Sequence, residues 1–420
     1  MASLLWFAHF LSFLLFHLRF QAGSSLPFSF NSSSAAMPCQ HDQSLALLQF
    51  MKTFSIRSNA SSWDFLYPKP YPKTESWKEG TDCCLWDGVT CEIETEISYL
   101  PALVSLDLSR NYDLILETSI FNELVQNLTQ LQQLDLSEIN MSLLDTLYLY
   151  NNNINGQIPS SLGSLKELSS LVLFDNDLNG EIPSSFGNLK QLHTLYLSNN
   201  NLSGQIPSSL GSLKELSLLI LSGNKFNGEI PSSFGNLKQL DILDLHSNSL
   251  SGQIPSSLGS LKELSLMDLC SNNFNGEIPS SFGNLKQLGM LYLHNNNLSG
   301  QIPSSLGSLK ELSSLILLDN NFNGEIPSSF GNLKQLRILD LHNNSLNGQI
   351  PSSLGSLKEL SSLILSNNRF NGEIPSSFGN LKQLDILDLR NNSLNGQIPS
   401  SLGSLKELSS LDLSYNNFNS

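Results

Sequence analysis

From Ile158-Pro159 to Ile398-Pro399, eleven Ile-Pro pairs recur every 24 residues without insertion or deletion. Each interval reads alike: Leu363, Leu365, Asn368, Phe370, Gly372, Ile374 and Pro375, then Ser-Ser-Phe-Gly-Asn-Leu-Lys-Gln-Leu. A unit this short cannot enclose a core by itself. The fixed period therefore dictates a solenoid whose units bury their apolar faces against their neighbours. Leu363 and Leu365 alternate with Ser362, Ile364 and Ser366, which predicts a short strand with its leucines inward and the other three side chains outward. About twelve such strands at ~4.8 Å spacing make a parallel inner wall on the order of 50 Å long, enough for a peptide or a protein domain.

The remaining positions have readable roles. Asn368, one of a series running in 24-residue steps from Asn152 to Asn416, carries amide donors and an acceptor that can satisfy backbone groups where the strand bends. Gly372 permits a tight turn, and Pro375, lacking an N–H, fits the first position of a short convex helix. Units with Phe370 and Phe378 alternate with units carrying Leu394 and Leu402, so the duplicated unit is 48 residues and large and small layers interleave. The convex segment is copied almost unchanged, while Tyr148, Val172, Tyr196, Ile220, Asp244, Asp268, Tyr292, Ile316, Asp340, Ile364, Asp388 and Asp412 vary in one outward column. Both a diversified recognition surface and recent tandem duplication produce that contrast.

The spacing Leu-x-x-Leu-x-Leu-x-x-Asn-x-Leu resembles the leucine-rich repeat, and the added Gly-x-Ile-Pro resembles its plant extracellular class. The resemblance implies an α/β solenoid: a superhelix with a parallel concave sheet, short convex 3-10 or helical segments and a disulfide-capped N-terminus. Ser76-Trp77, Cys83-Cys84, Trp86 and Cys91, with the amphipathic stretch 42–50, resemble the N-terminal cap of plant leucine-rich-repeat receptors. Adjacent Cys83 and Cys84 would form a strained ring if joined, which leaves two pairings among Cys39, Cys83, Cys84 and Cys91. The family pattern implies Cys39–Cys83 and Cys84–Cys91.

Residues 4–20 are almost wholly apolar and are followed by Ala22, Gly23, Ser24 and Ser25, as in a secretory signal peptide. The domain reading is thus a signal peptide at 1–24, a cap at 37–95, irregular first repeats at 96–146 and regular repeats at 147–420. Around the irregular stretch, Leu106 and Leu134 stand 28 residues apart, but Leu134 and Leu147 only 13. Export agrees with sequons at Asn59, Asn127, Asn140, Asn201, Asn297, Asn343 and Asn391. No second stretch reaches the ~18 apolar residues of a spanning helix, and the final repeat has no closing cysteine pair. A net charge of −15 argues against nucleic acid or an anionic membrane as ligand.

The sequence contains no nucleophile elbow, phosphate loop or metalloprotease helix, so it predicts a binding scaffold with no cofactor rather than an enzyme. One cluster raises metal chemistry: the Ser366 position becomes His246, Cys270 and His294 in successive units, then His342 and Arg390 further on. Duplicated histidines and a chance Ser-to-Cys change account for it without a metal, and none is assigned. By resemblance to receptor-like protein ectodomains, a peptide or protein lies along the concave strands and partner kinases carry the signal in defence or development. The expected contacts are Tyr148, Phe174, Tyr196, Asp244, His246, Asp268, Tyr292, His294, Asp340, His342, Arg369, Asp388 and Arg390. The alternatives are a secreted inhibitor resembling the polygalacturonase-inhibiting proteins and a truncated receptor fragment that signals nothing.

The cysteine reading is testable in secreted protein. Non-reducing peptide mapping should return Cys39, Cys83, Cys84 and Cys91 as disulfides and Cys270 as a thiol. Closure of the Cys39–Cys83 loop should stabilise the cap by about 4 kcal/mol in the chain-entropy model. Free thiols at Cys83 and Cys84 would defeat the cap assignment.

Overall fold

The structure, a computed structural model, describes residues 78, 89–91, 103–107, 133–135, 145–151 and 154–419. Within 145–419 each 24-residue coil runs strand, turn, second strand, 3-10 helix and return. The first strands, from Thr146–Tyr148 to Ser410–Asp412, stack into a parallel twelve-stranded sheet in strict chain order. Their register equals the sequence period: Leu363 pairs with Leu339 on one side and Leu387 on the other. The expected 28-residue interval is also realised, because Leu106 of Leu103–Asp107 pairs with Leu134 of Gln133–Asp135. The antiparallel strand Val89–Cys91 completes that smaller sheet. The signal-peptide and disulfide assignments, and the side chain of Cys91, lie outside the described residues.

A second parallel sheet, of eleven strands from Asn155–Gln157 to Ser393–Leu394, flanks the first and was not foreseen. Its register is offset by 22 residues rather than 24, as in Gly348 with Phe370 and Gly372 with Leu394. A shift of two residues keeps every side chain on its own face, so the inward apolar positions are preserved while the strands slant.

Each coil turns inward the apolar side chains that the pattern assigned to the core. Leu363, Leu365, Phe370, Ile374, Phe378, Leu381 and Leu384 are all buried, and the same set recurs along the array up to its last positions, where Ile398 and Leu411 are exposed. Nine phenylalanines, Phe186 to Phe378, are the largest fully buried side chains. Deleting one would leave a cavity costing about 3–5 kcal/mol, since neighbouring coils are fixed by the period and collapse poorly around it.

The asparagine series staples coil to coil. Asn368 Oδ1 accepts the Leu346 N–H at 3.0 Å, while its Nδ2 donates to the carbonyls of Leu341 at 2.9 Å and of Leu365 and Ser366 at 3.2 Å. The residue before it, Asn367, takes a left-handed φ of 54°, and every described coil has its counterpart. Asn, Asp, Ser and Gly dominate that position because they tolerate or ease this conformation; Tyr415, φ 55°, is the exception.

On the convex side one expectation is corrected. Pro375 is the residue before the helix rather than its first member: φ is −62° but ψ is extended at 127°, and helix Ser376–Asn380 follows. Its carbonyl instead starts the turn by accepting the Phe378 N–H at 3.0 Å. The near-identity of these segments also has a packing cause beyond duplication. A Cβ on Gly379 would meet Ser401 Cβ and carbonyl oxygen at 2.7 Å, and Ser377 Oγ donates to the Ser352 carbonyl at 2.7 Å. Any larger residue in one coil must displace the backbone of the next.

Asn296 therefore should tolerate substitution worse than Tyr292. Its amide holds the Phe274 N–H and the Leu269, Leu293 and His294 carbonyls at 3.0–3.1 Å. Asn296→Ala should lower unfolding stability by about 1–3 kcal/mol by leaving buried groups unpaired. Tyr292→Ala should cost less. Equal denaturant midpoints would contradict this assignment of inside and outside.

Candidate functional site

The outward side chains of the twelve strands form three columns, and their environments differ along the array. Tyr150, Phe174 and Tyr196, in the first three coils, make a continuous stack. Ring centroids lie 4.8 Å apart with planes 2° apart for Tyr150–Phe174, and 4.5 Å and 21° for Phe174–Tyr196. Tyr150 and Phe174 stack because the parallel register places corresponding side chains one above the other, whereas Tyr196, which pairs with Val172, meets Phe174 across two columns. Tyr150 belongs to this platform but was absent from the expected contacts, although its place in the Phe174 column was visible in the sequence. The third column also differs from its outward assignment. Ser198, Ser222, Cys270 and Ser366 are buried there, because small side chains sink below their larger neighbours.

The recurring aspartates have a local job. Asp244, Asp268, Asp340, Asp388 and Asp412 each accept the backbone N–H two residues on, at 2.9–3.1 Å. Asp244 and Asp388 accept further bonds from Ser222 Oγ at 3.1 Å and Ser366 Oγ at 2.7 Å. The hydroxyl and N–H of Ser414 hold the exposed Asp412 carboxyl below its usual value. Asp340 is 7% exposed and engaged by His342, which corrects its assignment as an exposed anchor.

Arg369 is also corrected. It opens the second-sheet strand Arg369–Gly372, beyond the turn at Asn367, so it does not share the twelve-stranded wall with Arg390. Arg390 is exposed and lies over the Tyr415 ring, 5.9 Å from its centroid. Tyr148, Tyr292, Asp388 and the three histidines are partly exposed on the wall.

The histidines do not act as one column. His246 Nδ1 lies 2.6 Å from Asp244 Oδ1 and 3.7 Å from Asp268 Oδ2. The hydrogen bond to Asp244 raises the His246 pKa against the opposing effect of burial, and the charges of Asp244 and Asp268 add to the rise. His294 is shifted the other way by burial, and its Nδ1 is buried without a hydrogen-bond partner. His342 contacts Asp340 at 2.7 Å, but the following coil presents Ile364 in place of a second carboxylate. The sequence grouping of His246, Cys270 and His294 is likewise replaced. The close cluster is Asp244, His246 and Asp268, whose ligand atoms lie within 4.8 Å of one another, a spacing a divalent cation could bridge. Cys270 is free and buried, and burial followed by Asp268 pushes its thiol up to about 12, so it stays protonated.

Among the sequons within the described residues, Asn201 and Asn297 are exposed on the second sheet. Asn343 and Asn391 are exposed too, but their Nδ2 atoms donate to Asp319 Oδ1 at 2.6 Å and Asn367 Oδ1 at 2.9 Å. A glycan on that nitrogen would replace one of its two hydrogens and leave the other for the bond.

Family models described as Leucine Rich Repeat match seven segments from 143–165 to 287–309, and one described as Leucine-rich repeat region matches 315–420. A model described as Leucine rich repeat N-terminal domain matches 40–92. Receptor-like protein 9DC1 of Solanum pimpinellifolium is 32% identical over 32% of this chain and 26% of its own length. Among solved structures, the plant peptide hormone receptor RGFR1 in complex with RGF2 is similar at TM-score 0.66 and 35% identity, covering 72% of this chain and 50% of that one. The PEPR1–AtPEP1 structure is similar at TM-score 0.59 and 31% identity, over 90% and 52% of the two chains. The aligned stretch spans about a quarter of that curated relative and about half of those two solved chains.

The pH behaviour should separate two histidines. His246 should titrate above the ordinary ~6.5 and His294 below it. His246 protonation then favours the folded state, a contribution complete below ~6.5 and lost as pH rises through its folded pKa. His294 works oppositely, costing stability as pH falls below ~6.5. NMR titration should show this order, and Asp244→Asn should bring His246 down; a shared midpoint for both would refute the split.

Proposed function

The chain belongs to the plant extracellular leucine-rich-repeat family, and we propose that it is the ligand-recognition part of a receptor-like protein. On this reading a peptide or protein binds along the twelve-stranded wall, and a partner kinase carries the signal in defence or development. The observation that supports it most is the contrast within each coil. The convex face is held constant by Gly–Ser stacking, whereas the wall carries side chains that change from coil to coil. A frame that cannot vary with a face that does is a surface on which specificity can be written. The solved relatives in complex with RGF2 and AtPEP1 support the ligand class.

Among the described residues no helix is long and apolar enough to cross a membrane.

The test is retention of peptides from plant extracellular fluid, identified by mass spectrometry, on the secreted full chain. A wall variant (Tyr148→Ala, Tyr292→Ala, Arg390→Ala) should lose most retained peptides. A convex variant (Glu215→Ala, Glu263→Ala) should keep them. Equal retention by both variants would move the binding surface off the wall.

A further inference from the structure

The first outward position of the wall strands is polar in most coils. Thr146, Ser170 and Thr194 hold it in the first three, and Ser314, Ser362 and Ser410 in later ones. Four consecutive coils depart from this: Leu218, Ile242, Leu266 and Met290 stand side by side, paired in register. The stripe covers three coil steps, ~14 Å. Thr194 and Ser314 pair with its two ends and bound it. Met290 is 38% exposed and the other three are partly exposed. The inward side of the same strands is already filled by Leu219, Leu243, Met267 and Leu291, all fully buried, so the stripe has no interior to serve. Contiguous apolar side chains on an outer face mark a place that another molecule covers.

Alongside the two middle coils of the stripe stand Asp244 and Asp268, two residues further along their strands and thus ~6.7 Å away. Their side chains remain 18% and 16% exposed, and the ion pairs of both are with His246. Asp268 Oδ2 lies 3.7 Å from His246 Nδ1, outside hydrogen-bond distance. The outward residues of these four strands include no lysine or arginine. Arg390 stands five coils beyond Asp268, ~24 Å, which is several screening lengths at physiological salt. In a chain with a net charge of −15, this pair of carboxylates favours a cationic partner.

We propose that these four coils bind an extended peptide in which aliphatic and basic residues alternate. The aliphatic side chains lie on the stripe from Leu218 to Met290, and a lysine or arginine pairs with Asp268. The inference rests on the wall being a peptide-binding surface and adds the residue types and their spacing. An extended chain crossing the strands sends successive side chains to opposite sides, and those on one side recur every ~6.7 Å. The stripe and the aspartates flank such a chain on its two sides. Three aliphatic side chains then span ~13 Å, the length of the stripe, and the basic residues between them face the two carboxylates. The recognised pattern is aliphatic-basic-aliphatic-basic-aliphatic.

A random dodecapeptide library displayed on phage, selected on the immobilised full chain, reads this directly. The selected pool should be enriched in the alternating pattern, and binding of such peptides should weaken as salt rises. The pair Ile242→Ser, Leu266→Ser and the single change Asp268→Asn should each weaken an enriched peptide at least tenfold. Serine is what other coils carry at the stripe position, so circular dichroism of these variants should match the wild type. Ile386→Ser, made at an isolated residue between Ser362 and Ser410, should leave binding unchanged. Selection on the Asp268→Asn variant should keep the aliphatic residues and lose the basic ones, and selection on the double serine variant should do the reverse. Enriched peptides that lack the alternation, or that bind the double serine variant as tightly as wild type, would overturn the inference while leaving the peptide-binding reading intact. Failure of any peptide to enrich above a blank matrix would overturn both.

Discussion

Every coil of this protein depends on a buried side-chain amide that does the work of backbone. A 24-residue turn that leaves a strand must bend sharply, and bending strands its N–H and C=O groups away from the ladder. Asn368 and its counterparts take up these orphans, accepting one N–H and donating to carbonyls in both their own coil and the preceding one. An unpaired buried group costs about as much as a whole domain can spare several times over if repeated in each coil. The amide therefore sets both the bend and the coil spacing, and sheet register, core layers and convex stacking follow from it.

The binding wall inherits its properties from that frame. Parallel strands locked in register put identical positions ~4.8 Å apart, so neighbouring side chains in a column always meet. Where two rings are adjacent they stack, as Tyr150 and Phe174 do within one column and Phe174 and Tyr196 do across two. Where an aspartate stands before a histidine, the pair bonds, as in Asp244–His246 and Asp340–His342. The surface is thus a readout of which residue types stand beside one another, within a column or across two.

The same residue accordingly behaves differently at different coils. His246, His294 and His342 are copies by position. Yet one lies beside two carboxylates, one has a buried ring nitrogen without a partner, and one meets a single carboxylate with isoleucine beyond it. Likewise the Asp column serves two ends: each carboxylate satisfies the N–H two residues ahead, and the row as a whole gives the wall its sign. A residue retained for the first reason is available for the second.

The period, the inward leucines, the asparagine series and the strand wall were legible in the sequence, because a repeat makes each contact a relation between positions one period apart. Tyr148, Phe174, Tyr196, Asp244, Asp268 and Tyr292 could be placed on that wall for the same reason. Three things were not legible. The second sheet and its 22-residue register depend on the slant of the chain after the left-handed turn, which also moved Arg369 off the wall. The burial of Asp340, Ser222 and Cys270 depends on how far adjacent side chains rise above them. The opposite shifts of His246 and His294 depend on which groups the stacked neighbours bring within reach. The sequence determined what faces outward; only the assembled stack decided what is open, since accessibility at one coil is set by the size and charge of the coils on either side.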